Sequence, residues 1–213
     1  MLIQCDFDGT IIRNNLSVLL RENFARVGWR EIEAAYIQRS LTVEESNRQQ
    51  YRLIQESRKK LQEFVCQHIE LRPGFVEFIN YCRQQSIPFV IVSSGVDFYI
   101  EAVLARIGMS HLECYCGQGV FTEDGIAVRY ISPEGNLLDS GFKHRYLAWL
   151  RQRDSTIIYL GDGYSDIEPA RQAEHVLATG MLPDLLKAES ITATSFDDFY
   201  DVISEVNRLS QQC

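Results

Sequence analysis

Two kinds of hydrophobic pattern alternate along this chain: short solid apolar runs, and longer stretches with helical spacing. The run Leu2 to Cys5 stops at Asp6, and Gly9 breaks the extended pattern, which predicts a short buried strand ending in a tight loop. From residue 15 to 70 the character changes: Gly28 is the only glycine, there is no proline, and Gln, Arg and Glu are frequent. Apolar positions recur there at helical spacing in three groups: Leu16 to Val27, Val43 to Ile54, and Leu61 to His68. Thr42 and Glu45 have the spacing of a capping box that starts the middle helix. This stretch reads as a small helical bundle inserted after the first strand.

Leu71-Arg72-Pro73-Gly74 marks the return. Phe75, Phe78, Ile79 and Cys82 predict an amphipathic helix, and the run Ile87 to Val92 predicts a strand covered on both faces that stops at Ser93-Ser94-Gly95. A helix ending at Gly108 follows, then short strand-like pieces over 112–140 with turns at Glu123-Asp124-Gly125 and Pro133 to Asn136. A helix bearing Phe142, Tyr146, Trp149 and Leu150 precedes a buried strand, Thr156 to Leu160, which ends at Gly161-Asp162-Gly163. Ser165 and Glu168 again have capping-box spacing. A short strand, His175 to Ala178, and a last helix with Phe199, Val202, Ile203 and Val206 complete the pattern. Strands alternating with helices predict an α/β fold with a doubly wound parallel sheet, which binds ligands beyond the carboxyl ends of its strands.

Composition narrows the partners. At 213 residues and 46% hydrophobic, the chain is one domain, or a core with one modest insertion, and it can bury a full core. No apolar run approaches the roughly 20 residues of a membrane span, and Asp6 and Asp8 interrupt any signal-peptide pattern. A net charge of −8 speaks against nucleic acid and anionic membrane surfaces. The cysteines at 5, 66, 82, 114, 116 and 213 form no disulfide framework and are expected to be reduced, in keeping with a cytoplasmic location. Cys114 and Cys116 lack a second Cys/His pair at ligand spacing, and His111 alone does not complete a zinc site.

Chemistry enters at the strand ends. Asp6 and Asp8, two apart, leave the first strand on one side, with Phe7 turned to the other. Two carboxylates so placed repel unless a cation sits beside them, and Mg²⁺ is the hard divalent ion that uses one or two carboxylates plus a substrate phosphate. The plainer reading of an isolated D-x-D is an Asx turn, but two further strands end in Ser93/Ser94 and in Asp162. The fold rule therefore gathers these polar groups at one edge of the sheet.

These residues match a known pattern. Asp6-Phe7-Asp8-Gly9-Thr10, Ser93 after the apolar strand, Lys143, and Gly161-Asp162-Gly163-Tyr164-Ser165-Asp166 occur in the order of the four motifs of the haloacid dehalogenase superfamily, which the chain resembles. The resemblance implies an aspartate-nucleophile phosphatase with a catalytic core, 1–14 and 71–213, and a helical cap, 15–70. It implies Asp6 as the nucleophile, Asp8 as the acid and base, and Ser93, Ser94 and Lys143 around the phosphate. Mg²⁺ would be held by Asp6, the backbone carbonyl of Asp8, and Asp162, with Asp166 orienting metal-bound water or Lys143 from behind. Outside that frame, Lys143 reads as a solvated surface lysine, Ser93-Ser94-Gly95 as a plain turn, and Asp166 as a helix-dipole partner.

Within the superfamily the chain is similar to the phosphoserine phosphatase-like branch. In that branch, Arg72-Pro73-Gly74-Phe75, Phe89 to Phe98 and Asp197-Asp198-Phe199-Tyr200 look like the methionine-salvage phosphatases of 2-hydroxy-3-keto-5-methylthiopentenyl phosphate. Phosphoserine phosphatases carry a glutamate where this chain has Asn15, and a cap arginine where spacing gives Gln50, flanked by Arg48 and Arg52. An unpaired buried ammonium or carboxylate is costly, so these departures count against phosphoserine. The expected partner is a small phosphorylated metabolite, and the expected assembly a monomer or homodimer. Two other classes compare poorly: a dehalogenase needs neither Asp8 nor Asp162, and a catalytically silent binding protein has no reason to keep every motif residue.

Overall fold

The computed structural model describes residues 1–211 as eight strands, ten α-helices and one short 3-10 helix; Cys213 lies outside the described residues. The centre is an eight-stranded sheet in the order β5-β4-β3-β2-β1-β6-β7-β8. Strands β1 (Leu2–Cys5), β2 (Phe89–Val96), β3 (Glu113–Thr122), β6 (Ile157–Gly161), β7 (His175–Ala178) and β8 (Thr194–Ser195) run parallel. Strands β4 (Gly125–Ile131) and β5 (Leu137–Leu138) extend one edge antiparallel, so the sheet is mixed rather than parallel throughout. The cause is local: the turn at Glu123 and Asp124 is too short for a crossover helix and folds β4 straight back onto β3.

β1 lies between β2 and β6, with Cys5 opposite Ile91 and Leu160, and every one of its residues is buried. Helices pack on both faces, which is why these strands read as solid apolar runs. On one face Phe75, Phe78 and Phe199 of α5 (Phe75–Gln84) and α10 (Phe199–Ser210) stack with Phe89. The others following the sheet are α6 (Asp97–Arg106), α7 (Phe142–Leu150), α8 (Ile167–Gln172) and α9 (Leu182–Ala188).

Four helices stand between β1 and α5, where the pattern indicated three: α1 (Leu16–Phe24), α2 (Trp29–Ile37), α3 (Val43–Tyr51) and α4 (Arg58–Gln67). Helix α1 stops at Phe24, and Val27 is 97% exposed instead of continuing the apolar face. Helix α2 has no fully buried residue, so it leaves no strong stripe for periodicity to find. The Thr42–Glu45 capping box is formed, with Thr42 N–H donating to Glu45 (2.9 Å) and Glu45 N–H to Thr42 Oγ1 (3.2 Å).

Two local expectations are corrected near the strand ends. β2 does not stop at Ser93 but runs to Val96, with a register shift against β3 between Val92 and Val96. No Ser165–Glu168 box forms; Asp166 Oδ2 instead accepts from the N–H groups of Asp162 (3.0 Å) and Gly163 (2.9 Å). The Asp166 carboxylate thereby holds backbone N–H groups of the β6–α8 turn, donors different from the Ser165 and Glu168 N–H groups that a box would have served.

Candidate active site

The site is built at the carboxyl ends of β1, β2 and β6. Asp6 and Asp8 follow β1, and Phe7 between them is fully buried. Gly9 then turns the chain at φ +74°, and a Cβ there would meet Asp162 Oδ2 at 2.0 Å. Glycine thus serves twice here: it takes the left-handed conformation, and it lets the carboxylate of the β6 end lie against the backbone of the β1 end. Arg72, buried, ties this loop down by donating to the carbonyls of Gly9 (2.5 Å), Thr10 (2.6 Å) and Asp197 (2.7 Å).

Lys143 enters from the first turn of α7. Its Nζ lies 2.9 Å from Asp6 Oδ1 and 2.6 Å from Asp166 Oδ1, and it donates to Ser165 Oγ at 2.9 Å. Asp166 is fully engaged, since Tyr159 also donates to its Oδ1 (2.5 Å) while its Oδ2 holds the Asp162 and Gly163 N–H groups. Asp8 accepts from Leu16 N–H through Oδ1 (2.9 Å) and from the Tyr99 hydroxyl through Oδ2 (2.5 Å).

These environments shift the acids upward. Burial raises Asp6 to about 7, with Lys143 pulling down and Asp166 pushing up. Burial also raises Asp8, opposed by the hydrogen bonds from Tyr99 and Leu16. Asp162 is pushed well up, by desolvation first and then by Asp166 and Asp6. For Lys143, burial disfavours the charge, yet Asp166 and Asp6 outweigh it and hold the ammonium above its ordinary value. Among the described residues, Asp6, Asp162 and Asp166 form the group in which one carboxylate oxygen from each lies within 4.8 Å of the others. Asp6 and Asp166 share one ammonium with Asp162 close by, and the clustered oxygen donors suit a hard divalent cation.

A chamber of about 100 Å³ opens over these groups and is lined by Asp6, Asp8, Asn15, Ser93, Ser94 and Lys143 among others. Ser93 Oγ accepts from Gly95 N–H at 3.0 Å, and the buried Ser94 Oγ has no partner among the described residues. Asp162 and Asp166 lie close to Asp6 but do not line the chamber. An outer cleft of about 420 Å³ shares Tyr36, Val43, Ser94, Lys143 and Ser165 with it.

The structure does not bring all four specificity candidates to the chamber. Asn15 reaches it, while its Oδ1 caps α1 at Val18 N–H (2.9 Å). Arg48 points elsewhere, donating to the carbonyls of Asp139 (3.0 Å) and Leu138 and lying over the Tyr130 ring. Gln50 is buried against α2, donating to Trp29 O (3.2 Å) and Glu33 (2.8 Å), and Arg52 is exposed. Helical geometry decides this: Val43, Ser46 and Asn47 share the chamber face of α3, whereas Glu44 and Arg48 share the face toward α7 and β5.

Several lining residues escaped the sequence reading, among them Ser17, Arg21, Glu33, Tyr36 and Asn47. The available signal was Arg21 itself, a charge one position past Leu20 inside the buried stripe of α1. Asn47, within the Val43 to Ile54 group, donates to Ser94 O and Tyr130 Oη, both at 2.8 Å.

The profile of the haloacid dehalogenase-like hydrolases matches residues 3–171. The chain belongs to this family. A 2-hydroxy-3-keto-5-methylthiopentenyl-1-phosphate phosphatase of Brevibacillus brevis is 27% identical over 100% of this chain and 97% of its own. An enzyme of the same name from Bacillus mycoides is 30% identical over 96% of this chain and 95% of its own. A substrate-bound phosphoserine phosphatase complex is 17% identical, covers 96% of this chain and 97% of its own, and superposes with a TM-score of 0.70; at that identity the likeness concerns the fold. Family and relatives make this haloacid dehalogenase-like hydrolase a phosphatase.

Proposed function

We propose that the chain hydrolyses a small phosphate monoester through an aspartyl-phosphate on Asp6, with helices α1–α4 acting as the cap over the site. The observation that carries this is the placement of Asp6: a buried carboxylate at the end of β1, paired with Lys143 at 2.9 Å and facing a chamber of phosphate size. Phosphoryl transfer needs positioning and charge neutralisation more than a strong base. Asp6 attacks phosphorus in line, and Lys143 takes up charge on an equatorial oxygen, with Asp166 holding the ammonium in place. Ser94, whose hydroxyl is otherwise unpartnered, and Ser93 offer further donors to the phosphate oxygens.

Asp8 gives a proton to the leaving alkoxide and later takes one from the hydrolytic water. Burial favours its protonated form, and each of its oxygens spends one lone pair on Leu16 or Tyr99 and keeps another. The crowded carboxylates fit Mg²⁺, which Asp6 and Asp162 would hold, Asp166 being occupied. When bound, the ion neutralises charge between the phosphate and Asp6.

The substrate we assign is 2-hydroxy-3-keto-5-methylthiopentenyl-1-phosphate. The names of the relatives support it, and so does the outer cleft, where Leu41, Val43, Phe142, Ile167 and Pro169 give an apolar tail a place next to a polar chamber. The experiment is a screen of phosphorylated metabolites by phosphate release, with and without EDTA and with Asp6→Asn. Turnover that survives Asp6→Asn overturns the nucleophile, and full activity in chelator overturns the metal.

A further inference from the structure

Arg21 is the buried cation of the chamber that phosphate chemistry leaves unused. It is 4% exposed and lines the same chamber as Asp6 and Asp8. One Nη donates to Ser17 Oγ at 2.9 Å, the other lies 3.4 Å from Glu33 Oε2, and its buried Nε–H has no partner among the described residues. A guanidinium has five N–H donors in a fixed fork, and burying it with donors unspent costs free energy unless something else accepts them. Glu33, also on the chamber wall, is steadied by Gln50 Nε2 at 2.8 Å. Ser17 in turn touches Tyr51 Oη at 2.8 Å, so the group is tied into the packing of α1, α2 and α3.

We propose that Arg21 and Glu33 form a specificity subsite that reads oxygens on the carbons next to the phosphate ester, and so selects an α-hydroxycarbonyl phosphate. This rests on the phosphatase reading and assigns the residues that choose its substrate. The pair is electrically neutral as a unit, so a lone carboxylate or a lone ammonium meets a like charge from one member. A carbonyl beside a hydroxyl meets no such penalty: the carbonyl accepts from Arg21 and the hydroxyl donates to Glu33. The inner chamber, at about 100 Å³, has room for the phosphate and its nearest carbons, so the subsite reads that part of the substrate, and the remainder lies in the outer cleft. A zwitterion such as phosphoserine carries both charges, but it must first break Arg21 from Glu33.

The test compares kcat/KM for dihydroxyacetone phosphate, n-propyl phosphate and O-phosphoserine in the wild type, Arg21→Met and Glu33→Gln. Expected is a wild-type preference for dihydroxyacetone phosphate over n-propyl phosphate of about tenfold or more, the usual size of one charge-assisted hydrogen bond. Arg21→Met should erase most of that preference, lowering the first substrate more than the second. Glu33→Gln keeps the side-chain shape and the bond to Gln50, and it should narrow the preference even if the arginine variant melts too low to assay. Equal losses on both esters, or a wild-type preference for phosphoserine that Arg21→Met removes, overturn the proposal. Hydrolysis of none of the three esters by the wild type overturns the proposal, while phosphate release in the wider metabolite screen decides the phosphatase reading separately. Hydrolysis of all three without discrimination overturns the proposal alone.

Discussion

Lys143 Nζ lies 2.9 Å from Asp6 Oδ1, and both side chains are buried. With Asp166 2.6 Å from the same ammonium, one cation holds two carboxylates that would otherwise repel in a low-dielectric setting.

Lys143→Met should therefore cost stability as well as turnover. Removing one partner of a buried pair costs about 3–5 kcal/mol, because the remaining charges lose their counterion. Urea melts should show that loss, and adding Asp166→Asn should recover part of the stability while phosphate release stays abolished.

The pH dependence follows from Asp6, whose carboxyl is raised from 3.8 to about 7. Between those values the native state keeps a proton that the unfolded chain has released, so this group's contribution to stability falls as pH rises through the window. Asp6→Asn removes the ionisation. In EDTA, the stability of Asp6→Asn relative to wild type should grow from pH 4 to pH 7 and then level off, as followed by denaturant melts. A flat difference would show that Asp6 is not perturbed.

Gly9→Ala places a side chain at φ +74°, with its Cβ 2.0 Å from Asp162 Oδ2. The backbone strain costs on the order of 1 kcal/mol or more. The displaced carboxylate should lower kcat by at least about tenfold, since misplacement of a reacting group by an ångström is enough to do so. Thermal melting and steady-state kinetics on the same preparation separate the two effects.

Tyr99→Phe deletes the 2.5 Å hydrogen bond to Asp8 and nothing else of the side chain's shape. A misoriented acid matters when the leaving group is poor. The variant should lose roughly tenfold more kcat on an alkyl phosphate than on p-nitrophenyl phosphate, whose leaving group needs little protonation. Equal losses on the two substrates would count against a positioning role for Tyr99.

Legibility in the sequence followed the range of the interactions involved. The aspartates after β1, the serines late in β2 and Asp162 after β6 were readable, because a parallel sheet puts the carboxyl ends of its strands on one edge whatever the details of packing. Helix α2 was not readable, because a helix with no buried residue carries little periodicity. Arg48 and Arg52 were candidates as the arginines flanking Gln50, yet α3 turns Arg48 toward β5 and leaves Arg52 in solvent.

By itself the sequence determined the alternation of strands and helices, the loop conformation at Gly9 and the set of acids at the strand ends, since these depend on neighbours a few residues apart. Only the tertiary structure decided that Lys143 bridges Asp6 and Asp166, that Tyr99 holds Asp8, and that Arg21 and Glu33 meet over the chamber. Those contacts depend on how each helix is rotated about its own axis against a distant element. That rotation is set by packing of the whole core, not by any local pattern.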